Sequence, residues 1–299
     1  MASKRGIVYD IRRKIQTVLY DLTSPEFVSR IYFRKYMGYK LNLDHPTTFN
    51  EKNQWLKLYE WPNNALAIQC GDKYTVRAYI EEKGLGEYLN ELLGVWDNVV
   101  DIDWDKLPDQ FALKVTNGCA YNIICDDKDK LDIESVKKQL KKWMKEDFGK
   151  FNAEPHYSKM KSRIICEKYL GGEMIDYKFY CYDGIAKFCY IAQGDAKEKR
   201  FTFFDRDGKI APFQRADYTP YLDAKVPSEF EKMIELSEKL AKDFICVRVD
   251  WYEVNGKIYF GEMTFTPNAA LIQFEPKEYD KILGELIHLP EKTGTGDKK

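Results

Sequence analysis

Short aromatic and β-branched segments follow one another through the second half of the chain. Three dipeptides separate neighbouring segments, Asp183-Gly184, Asp207-Gly208 and Asn255-Gly256, and such pairs favour the tight turns of β-hairpins. Because predicted helices precede and interrupt these strands, the sequence predicts an α+β fold with a mainly antiparallel sheet. The segments, from residue 163 onward, are RIICEKYL, DYKFYCYD, IAKFCYIA, FTFFD, ICVRVDWYEV and KIYFGEMTF.

Helical patterns fill the first part of the chain. Residues 1–65 are predicted to form an N-terminal helical region, which ends at the break Trp61-Pro62-Asn63-Asn64. A further helix is expected from about Asp132, with apolar residues along one stripe. The segment SEFEKMIELSEKLAKDF is expected to begin with a capping box of Ser228 and Glu231. Residues 291–299 are predicted to be a flexible polar tail.

Composition excludes several classes of protein. Lys plus Arg number 47 and Asp plus Glu number 48, a net charge of −1, so nucleic acid is not an expected partner. No run approaches the roughly eighteen apolar residues of a membrane span, so stable membrane insertion is not expected. The N-terminal segment MASKRGIVYDIRRKIQTVLYDL is interpreted as an amphipathic helix. Packing on its own domain is favoured over loose association with a membrane surface.

Cysteine and histidine give no metal or nucleophile signature. The seven cysteines include no CxxC pair and the chain has three histidines, so a zinc site is not expected. An odd number of cysteines without paired spacing is typical of a reducing compartment, which predicts a cytoplasmic location. His45, His156 and His288 are interpreted as structural or peripheral.

The stretch FALKVTNGCAYN, residues 111–122, sets a lysine inside an apolar alternation. Its pattern predicts a strand with one apolar face, from which Lys114 projects on the opposite side, just before a loop of small residues. Lys114 could be an ordinary solvated lysine on an open sheet face. Alternatively, the lysine and the backbone N–H groups of the loop could converge on phosphate oxygens.

The stretch VRVDWYEVNGKIYFGEMTFTPNAA, residues 247–270, predicts an acidic hairpin. A two-residue loop would put Asp250 and Glu262 on opposite faces of the sheet. A three-residue loop, residues 254–256, would set Arg248 opposite Glu262 and Asp250 opposite Phe260, so that the two carboxylates lie about 7 Å apart on one face. This pair could hold Mg²⁺ together with phosphate oxygens, whereas in the alternative Arg248 simply pairs with Glu262.

A third stretch, ICEKYLGGEMIDYKFYCYDG, places Glu167 and Glu173 on either side of Gly171-Gly172. A strand that ends beside Tyr169 could hold a flat base by its free backbone groups, with Glu173 near ribose hydroxyls.

Together the three stretches resemble an ATP-grasp enzyme, and more specifically the TupA-like, teichuronopeptide-biosynthesis branch associated with cell-surface polysaccharide synthesis. The resemblance extends from about residue 40 to 290. It implies an ATP-grasp domain over 66–290, with a phosphate-lysine subdomain at about 100–166 and a metal-binding subdomain at about 170–290, and with mainly antiparallel sheets sandwiching ATP. Supporting segments are HPTTFNEKNQWLKLY, DKYTVRAYI, ALKVTNG, SRIICEKYL, DYKFYCYDG and RVDWYEVNGKIYFGEMTFTP.

The resemblance also implies roles for individual residues. Lys114 would contact nucleotide phosphate under a flexible loop at 117–122, and Lys178 is a weaker candidate for such a contact. Arg248 would stabilise the charged intermediate. The family's asparagine after the last metal ligand is replaced by Thr264, and Asn268 is an alternative that stays open. The adenine hinge would be Glu167, Lys168, Tyr169 and Leu170, the ribose contact Glu173, and the Mg²⁺ ligands Asp250 and Glu262.

The implied reaction is the ATP-dependent ligation of a carboxylate to an amine through an acyl phosphate. An amino acid or peptide would be joined to a uronic-acid-bearing glycan precursor. One alternative is a kinase that phosphorylates a sugar hydroxyl, and another is a glycan-binding protein whose aromatic side chains stack on sugars. The sequence leaves self-association into a homo-oligomer open.

Overall fold

The computed structural model of the protein describes residues 4–172, 174–193 and 200–290. Glu173 and the tail 291–299 lie outside these described residues. The α-helices are α1 Lys4–Leu22, α2 Pro25–Met37, α3 Phe49–Trp55, α4 Ala65–Gly71, α5 Val76–Glu82, α6 Ile133–Lys145, α7 Phe230–Ala241 and α8 Tyr279–Gly284. The strands are β1 Leu92–Trp96, β2 Phe111–Val115, β3 Asn122–Cys125, β4 Ile164–Lys168, β5 Ile175–Tyr182, β6 Ile185–Gln193, β7 Arg200–Asp205, β8 Gln214–Arg215, β9 Cys246–Val254, β10 Lys257–Thr264 and β11 Phe274–Glu275.

These strands form two sheets and a short ribbon. The small sheet has four strands in the order β1-β4-β2-β3, and the large sheet has five in the order β10-β9-β5-β6-β7. Strands β11 and β8 form the ribbon, and the described pairings are antiparallel. The expected α+β fold with mainly antiparallel sheets is therefore confirmed. None of the helices in the described ranges combines the length and the apolar character that a membrane crossing requires.

The small sheet builds its own core against α6. Phe111, Leu113 and Val115 are buried on one face of β2, as the alternation predicts. The helix expected near Asp132 is confirmed, since the Asp132 carboxylate accepts a hydrogen bond from the Ser135 N–H at 3.0 Å and so caps α6. This core fixes the opposite face of β2, which carries Lys114, toward the rest of the molecule.

The large sheet shares a second core with the N-terminal helices and α7. The Trp251 indole is fully buried and its Nε1 donates to Ser237 Oγ at 2.8 Å, which ties β9 to α7. On the N-terminal side, the ring of Trp61 packs 5.2 Å from that of Phe265. Residues from α2 to α5 thus belong to the same apolar cluster as the large sheet.

The expected capping box at the start of α7 is wrong. The helix begins at Phe230 after an N-cap at Glu229, and no side chain caps it. The Phe230 N–H instead donates to the Pro227 carbonyl at 3.2 Å, so a turn precedes the helix and Ser228 lies one residue too early.

Of the two loop lengths considered, the β9–β10 hairpin has the two-residue loop, yet Asp250 and Glu262 do not lie on opposite faces as that loop alone predicts. The pairings expected from the three-residue loop, Arg248 with Glu262 and Asp250 with Phe260, are wrong. Asn255 and Gly256 have φ of 53° and 75°, and Val254 pairs with Lys257. The register then shifts by one residue at Gly261, after which Glu262 lies directly opposite Asp250. A β-bulge inserts one extra residue into a strand and so changes the face that later side chains occupy. The carboxylates therefore share a face for a reason that the turn alone does not reveal.

Replacement of Gly256 tests this loop. A Cβ at Gly256 would meet nothing within 4 Å, so Gly256→Ala should cost only the left-handed backbone conformation, about 1 kcal/mol of the free energy of unfolding. Asn255→Gly is the matched control at the neighbouring positive-φ position, and it should change stability by less than about 0.5 kcal/mol. Equilibrium urea unfolding measures both. Equal effects of the two substitutions would contradict the two-residue loop.

Candidate functional site

Arg248 joins the acidic residues of the large sheet. Its Nε donates to Asp250 Oδ1 at 2.7 Å and its Nη2 donates to Asp250 Oδ2 at 2.7 Å. The same Nη2 lies 2.9 Å from Glu262 Oε1 and 2.9 Å from Thr264 Oγ1. The four residues predicted to share a face are therefore in contact, and the guanidinium lies between the two carboxylates.

Asp250 is the buried member of this group. Its side chain is fully buried, and Lys178 on the neighbouring strand donates to Asp250 Oδ2 at 2.6 Å. Burial alone would lower the pKa of Lys178, but the adjacent Asp250 carboxylate raises it above its usual value, so Lys178 stays protonated. Both oxygens of Asp250 are thus engaged by cations. Lys178, a candidate for a phosphate contact, is thus paired with Asp250 in this structure.

Glu262 is the accessible carboxylate. Its side chain is 33% exposed, and only Oε1 is bonded to Arg248 and Thr264. Burial would raise the pKa of Glu262, but the charges of Lys73, Arg248 and Lys178 lower it to about 2. Glu262 is therefore ionised throughout the physiological pH range.

The small sheet contributes Lys114. Its Nζ lies 2.6 Å from Glu167 Oε2, and Arg77 Nη1 lies 3.5 Å from the other Glu167 oxygen. Ala112 pairs with Glu167 and Lys114 with Ile165 across β2 and β4, so lysine and glutamate project from the same face. This face is opposite to the buried Leu113, which confirms the predicted orientation of Lys114.

The two sheets face each other across a cavity of about 320 Å³, here called the intersheet cavity. Lys114 and Glu167 line it from the small sheet, and Glu262 lines it from the large sheet. Asp250 does not contribute to its wall, because Arg248 and Lys178 cover its carboxylate. Of the three residues predicted to line one cleft, Lys114 and Glu262 do line the same cavity, and Asp250 does not.

Lys73 also lines the intersheet cavity, although the sequence analysis assigned it no role. Its Nζ donates to the Gly118 carbonyl and its backbone N–H to Thr116 O at 3.2 Å, so it anchors the loop of small residues that follows β2. In the sequence, Lys73 belongs to DKYTVRAYI, one of the segments that support the family resemblance. Because it lies between α4 and α5, no strand or helix pattern indicated that its side chain faces the cavity.

A second cavity of about 440 Å³ adjoins the first and shares Lys73, Cys119 and Glu262 with it. Its wall also includes Arg248, whose guanidinium contacts Glu262, a residue that lines both cavities. The remaining polar wall residues are Tyr36, Asn152, Glu154, Tyr157, Asp217, Thr264, Thr266 and Asn268.

Glu154 is a buried carboxylate in the wall of the second cavity. It accepts a hydrogen bond from Thr266 Oγ1 at 2.5 Å, and burial raises its pKa above the usual value. Lys57, in a π-helical turn that continues α3, is also buried, and its Nζ lies 3.1 Å from Asn152 O and 3.3 Å from Ala269 O. Burial lowers the pKa of Lys57 to about 8, while the charge of Glu154 opposes this shift.

A left-handed turn closes the second cavity after β10. Asn268, Ala269 and Ala270 have φ of 51°, 56° and 58°, a conformation that L-residues rarely adopt. The Gln54 amide donates to the carbonyls of Ala269 and Ala270 at 3.0 and 2.9 Å, which holds the turn in place. The Asn268 amide oxygen, in its favourable orientation, accepts from Arg215, whereas Thr264 contacts Glu262 directly.

Of the predicted adenine hinge, only Glu167 lines the intersheet cavity. Lys168 Nζ pairs with Glu91 at 3.2 Å, and Lys168 and Tyr169 line a separate hollow of about 660 Å³. The Lys168 carbonyl accepts from Asn90 Nδ2 at 2.8 Å. Leu170 lines none of these cavities, and Glu173 lies outside the described residues.

Within the described ranges, no cluster of three or more His, Cys, Asp or Glu residues could hold a metal ion.

His156 is buried close to the second cavity. Its ring lies 4.2 Å from that of Tyr157, and neither ring nitrogen has a hydrogen-bond partner among the described residues. Burial, with the nearby charge of Lys57, lowers the pKa of His156 to about 3. The side chain is therefore neutral in the folded protein.

Comparison with known proteins places the chain in a recognised group. A family model described as TupA-like ATP-grasp matches residues 51–288, which is most of the chain. The search of curated proteins found no match to this chain.

Several solved structures are similar in fold. One is D-alanine–D-alanine ligase from Bacillus anthracis complexed with ATP, at 18% identity and a TM-score of 0.46, covering 74% of this chain and 65% of that one. Another is N5-carboxyaminoimidazole synthetase from Staphylococcus aureus complexed with ADP, at 13% identity and a TM-score of 0.46, covering 81% and 60%. L-amino acid ligase from Bacillus licheniformis has 13% identity and a TM-score of 0.42, covering 71% and 43%. The chain thus spans less than two thirds of each of these three relatives.

Protonation of His156 predicts a pH-dependent stability. Between pH 6.5, the ordinary pKa, and about 3, only the unfolded chain binds the proton, so the free energy of unfolding falls as the pH is lowered, by up to about 5 kcal/mol in all. His156→Phe should flatten this dependence and leave stability above pH 7 nearly unchanged. Urea unfolding between pH 7 and 4 measures the difference, with His45→Phe as the exposed control. A parallel pH dependence in wild type and His156→Phe would contradict the assignment.

Proposed function

The chain belongs to the TupA-like ATP-grasp family, and from that premise we propose that it is an ATP-dependent ligase that joins a carboxylate to an amine. The observation that carries the proposal is the intersheet cavity, where Lys73 and Lys114 face Glu262. A triphosphate needs cations and backbone N–H groups on one side and a bridging metal ion on the other. The two lysines and the loop after β2 would supply the first set.

The donor atoms around Arg248 fit Mg²⁺ in part. They are carboxylate and hydroxyl oxygens, and Mg²⁺ in nucleotide sites is held by one or two carboxylates and the phosphates. Glu262, ionised and with Oε2 not bonded to a described residue, would be the direct ligand, with Thr264 beside it. Asp250 would become a second ligand only if Lys178 moved away from it. Bound Mg²⁺ would neutralise phosphate charge and orient the terminal phosphate.

The second cavity would hold the carboxylate and amine substrates. It opens beside Glu262 and Arg248, so a carboxylate placed there would reach the terminal phosphate of a nucleotide in the intersheet cavity. The carboxylate oxygen would attack that phosphorus, ADP would leave, and the amine would then displace phosphate from the acyl carbon. Arg248, whose Nη1 is not engaged by the described residues, would stabilise the charge that develops at this junction.

Glu154 is the best placed base for the amine. An ammonium group must lose a proton before it can attack, and a carboxylate whose pKa is raised by burial is suited to accept that proton. Thr266 fixes the carboxylate in the cavity wall. Asp217 lines the same cavity but is more exposed, and it pairs with Arg215 at 2.6 Å.

The substrate class follows the family resemblance. We propose that an amino acid or peptide is joined to a uronic-acid-containing precursor of a cell-surface polysaccharide. The use of ATP and the free thiols of the chain support a cytoplasmic location. A sugar kinase would use the same intersheet cavity, so the reaction product must distinguish the two activities.

Lys114→Ala should weaken Mg-ATP binding about 10- to 100-fold, because a charged hydrogen bond to phosphate is lost. Isothermal titration calorimetry measures the affinity, and thermal unfolding checks that the variant is folded. Lys106→Ala removes a lysine that pairs with Asp103 at the surface, and it should bind like wild type. No Mg-ATP binding by the wild-type chain, or equal affinity in Lys114→Ala, would rule out the proposed nucleotide site.

Glu154→Gln should separate the two chemical steps. Hydroxylamine is unprotonated at neutral pH and needs no base, so trapping of the acyl phosphate as a hydroxamate should stay within about twofold of wild type. Amide formation should slow by about 100-fold or more. Asp217→Asn is the control from the same cavity and should retain both reactions. ADP release without any hydroxamate would instead favour the kinase, and equal loss of both products in Glu154→Gln would exclude Glu154 as the base.

A further inference from the structure

Helix α1 contacts the protein through its polar side. The Gln16 amide donates to the Phe151 carbonyl at 2.7 Å, and Asp21 pairs with Lys150 at 2.6 Å. Asp10 pairs with Lys142 of α6 in the same way. A helix that packs for stability normally buries its apolar face, so this arrangement is inverted.

The opposite side of α1 is apolar and faces outward. Five large aliphatic side chains lie on it at successive spacings of three, four, three and four residues, which keeps them on one stripe of a helix with 3.6 residues per turn. Their exposed fractions range from 52% to 79%. We call these residues the outer stripe: Val8, Ile11, Ile15, Val18 and Leu22.

The charges beside the outer stripe are basic. At 100° per residue, Arg12 and Lys14 flank the stripe on its two sides, and both residues are exposed. The acidic residues Asp10 and Asp21 are about half exposed, and each is neutralised by a lysine of the protein, Lys142 and Lys150 respectively. The outward side of α1 thus combines an apolar stripe with positive charge.

We propose that the outer stripe lies on an anionic lipid surface. Amphipathic helices with aliphatic residues on one side and Lys or Arg beside them bind in the plane of a membrane interface, and anionic lipids attract the basic residues. A second copy of the chain is a poorer partner, because it would present its own Arg12 and Lys14 against the same basic margins. The inference stands on α1 alone and does not depend on the ligase activity.

Vesicle flotation of the full chain tests the proposal. The chain should float with vesicles of phosphatidylglycerol and phosphatidylcholine and should bind pure phosphatidylcholine at least about tenfold more weakly. Ile11→Glu with Ile15→Glu should weaken binding at least about tenfold, since two aliphatic side chains that would insert into the lipid are lost. Arg12→Glu with Lys14→Glu should remove the preference for anionic vesicles. Val100→Glu, at an exposed valine outside α1, should float like wild type.

Circular dichroism and thermal unfolding confirm that each variant is folded, and light scattering gives the mass of the particle without lipid. Failure of the wild-type chain to float, or equal flotation of the Ile11→Glu, Ile15→Glu variant, would overturn the proposal. So would a dimer that this variant dissociates, because the outer stripe would then bind a second copy.

Discussion

The pairing of Arg248 with Asp250 is the interaction on which the site depends. Both groups are buried, and the burial of a charge is costly unless a partner and further hydrogen bonds compensate it. Arg248 satisfies Asp250 through two nitrogen atoms and reaches Glu262 with one of them. Lys178 supplies the second cation. The network thus balances its own charges and leaves one carboxylate, that of Glu262, facing the cavities.

The two cores of the protein determine what Glu262 faces. The small sheet packs on α6 and turns Lys114 away from that core, while the large sheet packs on α7 and turns Arg248 away from its own. The polar faces of the sheets therefore meet across the intersheet cavity. Lys73, from the segment between α4 and α5, ties the N-terminal helices to the loop after β2. The proposed nucleotide position is consequently a property of the whole fold.

Local sequence patterns predicted the orientation of individual strands but not the register between them. Alternation around Lys114 was sufficient, because one apolar face had to be buried. The hairpin was more difficult, since the bulge at Gly261 leaves no signature comparable to Asn255-Gly256. The sequence analysis also missed Lys57 and Glu154. Their contacts join residues 95 to 212 positions apart. The left-handed turn that Lys57 supports also contains two alanines that local preference would not place there.

The most direct test of the central claim is a crystal structure of the chain with Mg²⁺ and a non-hydrolysable ATP analogue. The account predicts phosphate oxygens within hydrogen-bonding distance of Lys73 and Lys114, and the metal ion bound to Glu262. A triphosphate outside the intersheet cavity, or a metal ion remote from Glu262, would contradict it.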